Sequence, residues 1–165
     1  MITRLLQEAI QSKLGKGKAI ILMGARQVGK TTLLKMLFAD KPDVLWMNGD
    51  ELDIQSLFEN ISASRLKAII GSKRIIIIDE AQRIPDIGLR LKLITDQIPE
   101  VQLIATGSSS FNLAGKINAQ LTVRQWEYKM YPINFNAIAR HTRLRKDKIL
   151  IPHHLVFGYY PDVIY

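Results

Sequence analysis

The chain contains no cysteine. Disulfides, cysteine-ligated zinc and thiol catalysis are therefore excluded. It also lacks any apolar run approaching the roughly 18 residues that a membrane-crossing helix needs, so no membrane partner is expected. The opening stretch Met1-Ile2-Thr3-Arg4-Leu5-Leu6-Gln7-Glu8 mixes charged and apolar residues, unlike a secretory signal. These absences fit a cytoplasmic location. No internal repeat or low-complexity tract appears. Carboxylates are scarce late in the chain: between residues 112 and 150 only Glu127 and Asp147 oppose Lys116, Arg124, Lys129, Arg140, Arg143, Arg145, Lys146 and Lys148. That imbalance carries much of the net charge of +8. A basic region over 116–148 suits DNA, an acidic protein partner, or simply a solvated surface. Its densest part, Arg140 to Lys148, lacks the interleaved aromatics of a stacking platform for bases.

What is present fits one domain. At 165 residues, with 47% hydrophobic and 23% charged content, the chain is long enough to bury a real core. Its organising stretch is Gly24-Ala25-Arg26-Gln27-Val28-Gly29-Lys30-Thr31-Thr32, which fits G-x-x-x-x-G-K-[ST] at every fixed position. Gly24 and Gly29 let the backbone turn where a side chain would block it, and the loop N–H groups can cradle a polyphosphate. Lys30 can reach the β- and γ-phosphates, and the Thr31 hydroxyl can take a Mg²⁺ position. Context separates this from an ordinary Gly-rich turn. Ala19 to Met23 is a short apolar run suited to a buried parallel strand, and Thr31 to Phe38 reads as a helix with an anion-attracting N-terminus.

Around the loop the chain alternates helix and strand patterns. Residues 2–14 carry an apolar stripe at Ile2, Leu5, Leu6, Ala9 and Ile10, stopped by Gly15. Val44 to Asn48 is a strand ending at Gly49-Asp50, and residues 54–70 read as short helices broken near Asn60 to Ser64. Lys73 to Glu80 contains four consecutive isoleucines followed by Asp79-Glu80, a buried strand with two carboxylates at its end. In open α/β sheets ligands bind beyond that end. Asp79 then suits a Mg²⁺ shell and Glu80 the polarisation of an attacking water; the structural alternative is that both cap the next helix. Helix 88–97 leads to a strand at 101–105, ending in Thr106-Gly107-Ser108-Ser109-Ser110. Thr106 or Ser108 could sense a γ-phosphate there, or the segment is a plain Gly-Ser turn. Further helices are expected over 112–118 and 132–140, with a strand at 125–130 between them.

Together these segments resemble a family of bacterial and archaeal AAA-type ATPases. The resemblance rests on the Gly24–Leu33 loop, on Asp79-Glu80-Ala81-Gln82, and on Thr106-Gly107-Ser108-Ser109. It continues through Leu121-Thr122-Val123-Arg124, Trp126 to Tyr128, Tyr131-Pro132-Ile133-Asn134-Phe135 and Phe157-Gly158-Tyr159-Tyr160-Pro161. Val123 replaces a usual Gly, and Asn136-Ala137 replace a usual Glu. The resemblance implies an α/β fold: a three-layer P-loop NTPase with a central, mostly parallel sheet between helices. It implies a nucleotide-binding core over 1–135 and, at 136–165, the start of a C-terminal extension, making the chain a truncated ATPase core. The implied activity is Mg-ATP binding and slow hydrolysis, with Glu80, Lys30, Thr106, Ser108 and Arg124 as the catalytic set. Arg26 and Arg83 are further candidates for an arginine that acts on the γ-phosphate. Self-association is compatible with this reading. The rival is an ATP-dependent switch that grips DNA or a partner protein with negligible turnover. A GTPase is disfavoured because no Asn/Thr-Lys-x-Asp sequence is present to read guanine, and a small-molecule kinase because Asp79-Glu80 favours water as nucleophile.

Overall fold

In a computed structural model, residues 5–108, 120–121 and 124–132 are described. The expected helices over 112–118 and 132–140, and the lysines and arginines of the basic region other than Arg124 and Lys129, lie outside them. So do Val123 and the segments beyond Pro132 that carry the later part of the resemblance.

The described elements run α1 (Leu5–Gln11), β1 (Ala19–Gly24), α2 (Lys30–Phe38), β2 (Val44–Asn48), α3 (Leu52–Glu59) and α4 (Ala63–Ile70). They continue with β3 (Ile75–Asp79), a 3-10 turn (Ala81–Arg83), α5 (Ile87–Gln97), β4 (Gln102–Gly107) and β5 (Gln125–Met130). The strands form one sheet in the order β2-β3-β4-β1-β5, and every described pairing is parallel. Parallel sheets need both faces covered, which explains the apolar run of β1 and the four isoleucines of β3. Successive residues of a strand face opposite ways. Ile21, Met23, Ile76, Ile78, Leu103 and Ala105 accordingly pack under α3, α4 and α5 with Phe58, Leu66 and Leu91. Ile20, Leu22, Ile75, Ile77 and Ile104 pack on the other face with Ile10, Leu33, Leu34 and Phe38 of α1 and α2. This is the three-layer P-loop arrangement that the sequence implies.

The boundaries carry the informative differences. α1 ends at Gln11, and Gly15 follows at φ 71°, the left-handed stop expected there. α4 is capped by the Ser62 hydroxyl, which accepts from the Arg65 N–H at 3.2 Å. α2 begins at Lys30, immediately after Gly29 at φ 89°. β4 runs on through Thr106 and Gly107, so Thr106 belongs to the strand rather than to the turn after it. β3 stops at Asp79, because Glu80 turns into the left-handed region at φ 49°.

Candidate nucleotide-binding site

The carboxyl ends of β1, β4 and β3 are adjacent in the sheet, and they carry the Gly24–Thr32 loop, Thr106–Ser108 and Asp79-Glu80. A cleft of about 670 Å³ opens over them, lined by Arg26, Gln27, Gly29, Lys30, Thr31, Thr32, Asp79, Glu80 and Ser108. Segments far apart in sequence thus converge because parallel strands all point their carboxyl ends the same way.

Within the loop the two glycines serve different ends. Gly29 adopts the left-handed conformation that the turn into α2 demands. Gly24 is still in β1, and a Cβ there would lie 2.5 Å from the Met130 carbonyl oxygen of β5. Its requirement is close strand packing, not the turn assigned to it from the sequence. Val28 is fully buried and anchors the loop to the core, while Ala25, Arg26 and Gln27 are exposed. Gln27 holds φ 63°, an uncommon conformation for a side-chain-bearing residue and of the kind that gathers at functional loops.

Lys30 is 4% exposed and donates to the carbonyls of Gly24 at 3.0 Å and Ala25 at 2.9 Å. Burial pulls its pKa below the ordinary lysine value, and the negative charges of Glu80 and Asp79 partly offset this. Thr31 donates through Oγ1 to Asp79 Oδ2 at 2.7 Å, joining the loop to the end of β3. Asp79 is buried, and its Oδ1 also accepts from the Thr106 hydroxyl and, at 3.2 Å, from the Glu80 N–H. Neither carboxylate caps the following turn in the ordinary way: Glu80 stands at the cap position without a side-chain capping bond.

Thr106 and Ser108 are separated by this geometry. Thr106 is buried; its hydroxyl donates to Asp79 and accepts from the Glu80 N–H at 3.1 Å. It braces the carboxylate pair from beneath and does not line the cleft. Ser108 does line it. Arg124 falls elsewhere. Its carbonyl accepts from the Ala19 N–H, so it sits at the opening end of β1, opposite the loop, and its guanidinium pairs with Asp96. A strand of six residues separates the two ends by roughly 17–20 Å. Within one chain Arg124 therefore does not reach the cleft, which corrects its placement among the catalytic residues. Arg26 and Arg83 do line it, and Arg83 pairs with Asp50 at 3.1 Å.

Asn48, Asp50 and Gln82 also line the cleft; none was expected there as a site residue, although Gln82 closes the Asp79-Glu80-Ala81-Gln82 motif. Asn48 and Asp50 flank the end of β2, a signal that the strand-end rule could have supplied. Gly49 between them approaches β3 very closely: its N–H donates to the Asp79 carbonyl at 2.8 Å, and an added Cβ would lie 2.5 Å from the Glu80 carbonyl oxygen. Gly49→Ala must therefore displace backbone. The expected loss is about 1–3 kcal/mol, with unfolding temperature falling about 2–4 °C per kcal/mol. Thermal unfolding checks this, and an unchanged midpoint would mean the two loops part without cost.

Comparison with known proteins agrees with this geometry. Residues 16–139 match the family described as AAA domain. An uncharacterized protein of Mycobacterium tuberculosis is 30% identical over 116 residues, spanning 70% of this chain and 25% of the relative. The chain thus spans about a quarter of the length of that curated relative. By structure it is similar to the Aeropyrum pernix ORC1 protein in complex with DNA (TM-score 0.57, 16% identity, 86% of this chain and 48% of that one). It is similar also to a Walker-type ATPase of Pyrococcus abyssi (TM-score 0.57, 16% identity, 90% and 59%). With a family match over most of its length, and the family's phosphate loop and strand-end carboxylates in one cleft, this chain belongs to the AAA domain family of nucleotide-binding, ATPase-type proteins.

Proposed function

We propose that the chain binds Mg-ATP and hydrolyses it slowly to ADP and phosphate. The observation that carries this reading is the bond from Thr31 to Asp79 at 2.7 Å, inside the cleft that Lys30 and Glu80 share. A hydroxyl and a carboxylate from separate motifs, meeting at one point, are the hard oxygen donors that Mg²⁺ prefers. No group of three or more His, Cys, Asp or Glu gathers among the described residues, which suits an ion held by few protein ligands plus water and phosphate. When bound, Mg²⁺ would neutralise charge on the β- and γ-phosphate oxygens.

The chain's own residues account for the rest. The loop amides and Lys30 hold the polyphosphate. Glu80 orients a water toward the γ-phosphorus and accepts its proton, while Thr106 fixes Asp79 and Glu80 in place. Ser108 lines the cleft, which supports it as the residue that meets the γ-phosphate. Turnover is expected to be slow because, of the three candidate arginines, Arg124 is remote, Arg83 is engaged by Asp50, and Arg26 stands solvent-exposed on the loop. An arginine acting on the phosphate contributes roughly 10³–10⁵ in rate. Phosphate release with Mg-ATP, beside direct measurement of nucleotide binding, tests the proposal. Absence of ATP binding by the chain refutes it.

A second reading has support in the net charge of +8 and the likeness to a DNA-bound ORC1 protein. In it, ATP binding switches a grip on DNA or a protein partner through the 116–148 region, with negligible turnover. Affinity for a DNA duplex, measured with and without Mg-ATP at two salt concentrations, separates the cases. Nucleotide-linked affinity supports the switch. Affinity that ignores nucleotide and collapses with salt is charge attraction alone.

A further inference from the structure

We propose that Gln82 is the positioning residue that aims the Glu80 carboxylate and ties it to the strand end bearing Ser108. The inference rests on the hydrolysis reading and names a residue that reading does not use. Gln82 lies in the 3-10 turn directly after β3, half-buried at the wall of the cleft. Its Nε2 donates to Glu80 Oε2 at 2.5 Å, and its Oε1 accepts from the Ser108 N–H at 3.2 Å. One planar amide thus spans the ends of β3 and β4.

The chemistry allows only this orientation of the amide. An ionised carboxylate can only accept and a peptide N–H can only donate, so a flipped amide would lose both bonds. The planar amide of asparagine or glutamine carries a donor and an acceptor on one rigid group, and glutamine has the longer reach of the two. Beneath this bridge the hydroxyl of Thr106 already ties the Glu80 backbone N–H to β4 at 3.1 Å. That lower tie fixes the backbone but leaves the side chain of Glu80 free to rotate. Among the described residues, the amide of Gln82 is the hydrogen-bond partner that holds the Glu80 carboxylate itself.

Two consequences follow for the reaction. The carboxylate is held in one direction rather than spread over its rotamers, which keeps it aligned on the attacking water. A phosphate oxygen that competes for the Ser108 N–H would release Oε1 and shift the amide together with Glu80. The γ-phosphate and the water-orienting group are thereby coupled through one side chain.

The test compares the whole chain with Gln82→Ala and Gln82→Glu for Mg-ATP affinity, kcat and KM. Gln82→Ala is expected to lower kcat about 10–100-fold while affinity and KM stay within about threefold. Gln82→Glu keeps the size of the side chain but cannot donate, and it sets a second negative charge beside Glu80. Its kcat should fall at least as far. Unchanged kcat in either variant, or equal losses of affinity and kcat, would overturn the proposal, since filling space would then suffice.

A second readout does not need turnover. In ¹⁵N spectra the side-chain amide of Gln82 should move when Glu80 is replaced by alanine, and a static signal would overturn the contact. If the wild-type chain binds ATP without hydrolysing it, the hydrolysis reading fails. The amide signal then still decides, for or against, whether Gln82 holds Glu80.

Discussion

Replacing Lys30 with alanine is expected to remove nucleotide binding without weakening the fold. The ammonium is almost fully buried and bonds to two carbonyls of its own loop, acceptors that phosphate oxygens would replace. Each charge-assisted hydrogen bond contributes about 1.5–3 kcal/mol, so losing two should weaken Mg-ATP binding by at least about 10²-fold. Fluorescence titration with a labelled ATP analogue checks this. Retained affinity would remove the loop from the site.

The stability side has the opposite sign. Burial lowers the pKa of Lys30, so between that lowered value and the ordinary lysine value the unfolded chain binds more protons than the folded one. Stability then rises with pH across this alkaline window, and below it the full cost of burying the charge remains. Lys30→Ala removes that cost. The expected result is an unfolding temperature equal to or above wild type near neutral pH, and a flatter alkaline stability profile. A marked fall in stability would show that the two carbonyl bonds outweigh desolvation.

Glu80→Gln is expected to separate binding from turnover. Glutamine keeps the length of the side chain, and its carbonyl can still accept from Gln82, so the bridge to Ser108 survives the change. What is lost is the negative charge that orients water and takes its proton. A positioned acid–base group contributes roughly 10²–10⁴ in rate, and turnover should fall within that range while nucleotide affinity changes little. Single-turnover phosphate release measured beside binding reads both quantities. Turnover that persists at the wild-type rate would assign the water to another residue, with Asp79 the nearest alternative.

The two variants probe different depths of the same sequence information. The nine-residue loop, the run of isoleucines and the carboxylate pair are local patterns, and local patterns state their own secondary structure. A left-handed Gly29 before a helix, and β3 buried on both faces, follow from residue type and spacing alone. That is why the elements of the core were legible with only small shifts at their ends. The order β2-β3-β4-β1-β5 was not legible from those patterns, because an apolar strand does not announce its neighbours.

From its sequence alone, then, the chain determined a parallel α/β core, a phosphate loop and a carboxylate pair at a strand end. Only the tertiary structure decided what those parts do to one another. It set Thr106 beneath the carboxylates and Ser108 in the cleft, although two residues of one strand end look equivalent in sequence. It carried Arg124 to the opposite end of the strands from the cleft, because a parallel strand entering beside β1 begins where β1 begins. It brought Gln82 against Ser108 and Gly49 against Glu80 through contacts between strand ends. The physical reason is common to all three: side-chain direction and strand adjacency are fixed by packing across the sheet, and packing joins residues that no local pattern connects.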